Sequence, residues 1–79
     1  MSALKNFIRD YLKENLFIAA GDDESLLKTR RMDSIGVVDL AVAIEEEYDA
    51  KINFTDITDD NFDTINKMVS FFESKGIAD

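Results

Sequence analysis

Apolar residues recur along this chain at helical spacing. Leu4, Phe7, Ile8, Tyr11 and Leu12 fall at i, i+3, i+4, i+7 and i+8, and Ile18 and Ala19 prolong the stripe before Gly21, a residue suited to ending a helix. The spacing predicts a first helix over about 2–19. From Gly21 to Arg31 the residues are polar except for Leu26 and Leu27, the pattern of a long loop held to the core by two leucines. A second helix is predicted over about 34–49, with Val37, Leu40, Ala41, Ile44 and Tyr48 on one buried stripe.

Beside that stripe lie Ile35, Val38 and Val42, edged by Asp39, Glu45 and Glu46. Two readings of this strip stand. It is a docking surface, with apolar contact giving affinity and the acids giving orientation, or it widens the buried face and leaves the acids solvated. Farther on, Phe54, Ile57 and Phe62 stand among polar residues and predict a brief irregular helix that drops aromatic side chains onto the core. Asp63 or Thr64 can then cap a last helix, in which Ile65, Met68, Val69 and Phe72 form a stripe that ends at Lys75-Gly76. The expected fold is all-α: a small bundle of three main helices and one short helix, with a long loop between the first and second.

Seventy-nine residues without an internal repeat or low-complexity linker are expected to form a single domain over 1–79, a monomer with one modest core. With no Cys and no His there is no disulfide, no soft metal ligand, and no material for a Ser-His-Asp or Cys-His site. Catalysis by carboxylates alone is formally open. A domain this small, however, has little volume for a substrate pocket. The net charge of −8 disfavours nucleic acid and favours partners with basic patches. No apolar run approaches the roughly 20 residues that span a bilayer, and the start of the chain meets charged residues too early for a signal peptide, so a cytoplasmic location is expected. The charge is also uneven. From Asp33 to Asp63 there are ten acids against Lys51 alone, whereas the residues before Asp33 are close to neutral.

One block carries more information than the rest. Asp33-Ser34-Ile35, followed by Val38-Asp39-Leu40 and Ala43-Ile44-Glu45-Glu46-Glu47-Tyr48-Asp49, resembles the attachment-site helix of the acyl carrier protein family. Ser25-Leu26-Leu27 and Thr64-Ile65 are similar to steps that the family places in its first loop and at its last helix. The resemblance covers nearly the whole chain. It implies that Ser34 is esterified by 4'-phosphopantetheine, transferred from coenzyme A by a phosphopantetheinyl transferase, so that acyl or aminoacyl groups ride as thioesters on a thiol the polypeptide lacks. It further implies that Asp33 assists the transferase. Ile35, Asp39, Val42, Glu45 and Glu46 would then face acyl-activating, condensing or acyl-transfer enzymes with basic docking patches. Leu26, Val37, Leu40, Ile44 and Phe62 are candidates to line a cavity for the acyl chain, although close packing is the default for a small core. Arg30-Arg31 replaces the family's frequent leucine-glycine, Gly36 follows two residues after the serine, and Asn53 stands at a frequent proline. The Asp-Ser-Ile-Gly form is similar to specialised carriers, D-alanyl carriers included.

Other readings attach to the same residues. Ser34 can be a plain helix cap, although Asp33 can fill that role, or a kinase target downstream of Arg30 and Arg31. The whole chain can be an acidic helical interaction module without a prosthetic group, which would tolerate Ser34→Ala. The run Asp56–Asn61 alternates oxygen ligands, but it lacks an EF-hand's sixth-position glycine, and Lys67 occupies the place of its bidentate glutamate. No metal site is expected.

Overall fold

The computed structural model describes residues 3–77, and every regular element among them is helical. Helix α1 spans Ala3–Asn15, α2 Ser34–Tyr48, α3 Asp59–Phe62 and α4 Ile65–Ser74, with a 3-10 turn at Phe54–Asp56 between α2 and α3. Helix α1 packs against α2 and α4, and α3 packs against α4. The apolar stripes meet as the periodicity requires. Leu4, Ile8 and Leu12 from α1, Val37, Leu40, Ala41 and Ile44 from α2, and Ile65, Met68, Val69 and Phe72 from α4 are all buried. Phe62, Phe71 and Phe72 cluster in tilted and edge-on contacts with centroids 5.1–5.6 Å apart. Tyr48 is half-buried and receives Phe7 edge-on at 6.1 Å.

The first helix is shorter than its stripe. It ends at Asn15, where Phe17 enters the left-handed region (φ 57) and the N–H groups of Leu16 and Ile18 both donate to the Leu12 carbonyl. Ile18 still reaches the core, but from a turn, so apolar spacing continued where helical backbone did not. Ala19 is exposed, and Ser2 lies outside the described residues. Helix α2 closes as its acid-rich end allows. Asp49 takes a left-handed conformation (φ 50) and sends its N–H back to the Glu45 carbonyl.

Residues 16–33 carry no regular element, and polar contacts tie them to the rest. Leu26 is fully buried, and its N–H donates to the Asp63 carbonyl at 2.7 Å. The Asp63 carboxylate, itself buried, accepts from Ser25 Oγ at 2.7 Å and from the Leu27 N–H at 3.0 Å. Helix capping falls to Thr64 instead, whose hydroxyl accepts from the Lys67 N–H. Asp22 pairs with Lys5 and Arg9, and Asn66 bonds both the Asp22 carbonyl and the Asp23 carboxylate.

Between α2 and α4 the expected single short helix is two pieces, the 3-10 turn and α3. Phe62 is buried and Ile57 partly so, but Phe54 is 81% exposed, contrary to its expected place on the core. Ile52 anchors this segment instead. It is buried, and its N–H is held by the Glu45 carboxylate at 2.7 Å.

Candidate functional site

Ser34 is the first residue of α2, and its side chain is exposed. Asp33 precedes it in extended conformation and caps the helix: its carboxylate oxygen Oδ1 accepts the Gly36 N–H at 2.8 Å, while its carbonyl accepts from Val37. The serine is therefore free of the capping role and presents its hydroxyl to solvent at the positive end of the helix. The N–H groups of Ser34 and Ile35 have no hydrogen-bond partner among the described residues. Unpaired donors at a helix start suit an anion.

Gly36 has a packing reason. A Cβ there would lie 3.1 Å from Met32 Cγ and 3.3 Å from Leu16 Cδ1, so the close approach of the long loop to α2 depends on its absence. The loop thereby holds Asp33 in place as a cap.

Two concavities flank the serine. A groove of about 180 Å³ has Ser34 at its edge, Leu27, Val37 and Val38 contributing from the loop and α2, and Phe54, Ile57, Thr58 and Asp59 from the segment that follows. Its surface is mainly apolar. A more polar cleft of about 220 Å³ is lined by Arg30 and Arg31 and reaches Asp33 and Gly36. Of the five residues considered for an acyl cavity, Val37 lines the groove, whereas Leu26, Leu40, Ile44 and Phe62 are fully buried in the packed core. Of the groove's other walls, Phe54 and Ile57 were expected on the core, because an apolar residue isolated among polar ones reads as a core contact.

The strip on α2 faces outward. Ile35 is 70% exposed, Val42 43% and Val38 37%, and Asp39 and Glu46 are exposed beside them. Glu45 differs from its neighbours in being half-buried and bonded to Ile52. Against the other flank of α2, burial and then the charges of Asp39 and Glu46 push the Tyr11 hydroxyl above its ordinary pKa. The acid strip thus extends its field onto α1.

The family model for the phosphopantetheine attachment site matches residues 3–72. The chain belongs to that family. Its members bear a 4'-phosphopantetheine prosthetic group and act as non-catalytic carriers modified by a phosphopantetheinyl transferase and served by partner enzymes. No solved structure matches the chain. The residues around Ser34 fit such a group: an exposed hydroxyl, two unpaired N–H donors and an adjoining groove. Among the described residues no helix is long and apolar enough to cross a membrane.

Proposed function

We propose that Ser34 is the attachment point of the 4'-phosphopantetheine arm and that residues 1–79 form one carrier domain for acyl or aminoacyl groups. One observation carries this reading: the exposed Ser34 hydroxyl, relieved of capping by Asp33, stands at the start of α2 beside an apolar groove. The other serines among the described residues are less suited. Ser25 donates its hydroxyl to Asp63 and Ser74 to the Phe71 carbonyl, while Ser70 sits within α4. The arm supplies a thiol, on which cargo is held as a thioester. This chain's residues bind and orient: the helix start holds the phosphodiester, and the groove of Leu27, Val37, Val38 and Phe54 offers the arm or a short acyl chain an apolar resting place. Asp33 orders that helix start for the transferase.

Partner enzymes with basic patches, working in the cytoplasm on fatty acyl, polyketide or specialised cargo such as D-alanine, dock on Ile35, Val42, Asp39, Glu45 and Glu46. The exposure of Ile35 and Val42 between exposed acids supports this. Because Glu45 also holds Ile52, charge reversal is cleaner at Asp39 and Glu46. The double change to Lys lowers affinity for such a partner at low salt with the fold intact. Equal binding by the variant contradicts the assignment.

The attachment itself is tested by intact mass after incubation with coenzyme A and a broad-specificity transferase. The parent gains one phosphopantetheine unit and Ser34→Ala gains none. If the parent stays unmodified, or Ser34→Ala is modified equally, Ser34 is not the site.

A further inference from the structure

Arg30 and Arg31 are adjacent in sequence and divergent in the fold. Arg31 is committed: its guanidinium pairs with Glu24 and donates to the Ala19 carbonyl at 2.8 Å. Arg30 is exposed, and its guanidinium has neither a hydrogen bond nor an ion pair among the described residues.

Its backbone, however, is held firmly. Arg30 adopts φ 60, a left-handed conformation that costs a non-glycine residue on the order of 1 kcal/mol. The turn is closed by its N–H to the Leu27 carbonyl at 3.1 Å, and by Arg31 and Met32, both donating to the Leu26 carbonyl. Leu26 is fully buried, so the turn is tied to the core. Its position is informative: Leu27 lines the groove that Ser34 edges, and Arg30 lines the cleft that reaches Asp33 and Gly36. Arg30 thus sits on a fixed turn four residues before Ser34, lining the cleft that reaches the cap of α2.

An anion at Ser34 meets an unfavourable field. Asp33 precedes it, Asp59 lines the same groove, and the chain carries a net charge of −8. The helix start offsets part of this repulsion, and a guanidinium, which matches phosphate geometry with two parallel donors, offsets more. We infer that Arg30 pairs with the phosphodiester that joins the arm to Ser34, fixing the root of the arm on the loop side of α2. Arg30 is a positioning residue in this role. The inference rests on the reading of Ser34 as attachment point.

The test uses protein loaded in vitro with coenzyme A and transferase, as the parent, Arg30→Gln and Arg30→Lys, with loading followed by intact mass and folding by circular dichroism. Two NMR signals report the contact: the Arg30 Nε–Hε resonance and the phosphorus resonance of the phosphodiester. In the parent, loading shifts the Arg30 Hε signal, and about 1 M salt, where the screening length falls to about 3 Å, reverses the shift. The phosphorus signal of Arg30→Gln differs from the parent at low salt, and Arg30→Lys lies between them. A loaded parent with an unmoved Hε signal, or with the same phosphorus signal as Arg30→Gln, overturns the pairing while leaving Ser34 as the site. Failure of the parent to load overturns the Ser34 reading, and the pairing falls with it.

Discussion

Two irregular stretches flank α2, and they are built differently. Residues 16–33 bury Ile18, Leu26 and Met32 and are fastened to the junction of α3 and α4 by the Asp63 carbonyl and carboxylate. Residues 50–58 bury Ile52 alone; apart from the ion pair of Asp56 with Lys75 at 3.0 Å, just past α4, their remaining contacts are mostly local turns, such as Asp56 to Asn53 and Ile57 to Phe54. Both stretches supply walls to the groove beside Ser34, Leu27 from the first and Phe54, Ile57 and Thr58 from the second. One wall is anchored in the core and the other rests on it. A groove with one fixed and one yielding wall can keep the attachment point in register while admitting arms or cargo of different bulk.

The difference is open to breaking from either side. Leu26→Ala removes the anchor of the fixed wall and is expected to cost about 2–5 kcal/mol in chemical denaturation, as for other fully buried leucines. Asp63→Ala leaves Ser25 and Leu27 without their acceptor, at about 1–3 kcal/mol. That contact also carries a pH signature. The Ser25 hydroxyl, and then the backbone N–H groups of Leu27 and Lys28, hold the Asp63 carboxyl below its ordinary pKa despite burial. Its contribution to stability is therefore complete above the ordinary carboxylate range near 4 and is lost as pH falls through the lower folded value. Asp63→Asn flattens this part of the acid titration; an unchanged acid limb shows that Asp63 is not responsible. Phe54→Ala should have the smallest effect, within about 0.5 kcal/mol for a side chain 81% exposed, while widening the groove beside Ser34. A loss comparable to that of Leu26→Ala places Phe54 in the core and removes the contrast.

The sequence made the fixed parts more legible than the yielding ones. The stripes of α1, α2 and α4 were readable because burial and 3.6-residue spacing coincide there, as at Leu40 and Ile44 or Met68 and Phe72. Asp33 and Ser34 were readable as a helix start because few residue types cap well. The end of α1 was not, since Ile18 keeps the apolar rhythm while the backbone has already turned at Phe17. Phe54 was misleading for the opposite reason: its type favours burial, but the 3-10 turn leaves it at the groove. The dual use of Asp63, and the retention of Glu45 by Ile52, depend on contacts across 36–38 and 7 residues that spacing does not encode.

Residue-resolved hydrogen exchange tests the division between the two walls most directly. The Leu26 amide, bonded to the Asp63 carbonyl, and the Met32 amide, bonded to the Leu26 carbonyl, should exchange only with openings close in free energy to global unfolding. Those of Ile57 and Thr58 should exchange at least about 100-fold faster relative to their unfolded rates, a difference of about 2.7 kcal/mol. Equal protection in the two stretches, or greater protection at Ile57 and Thr58, would contradict the account.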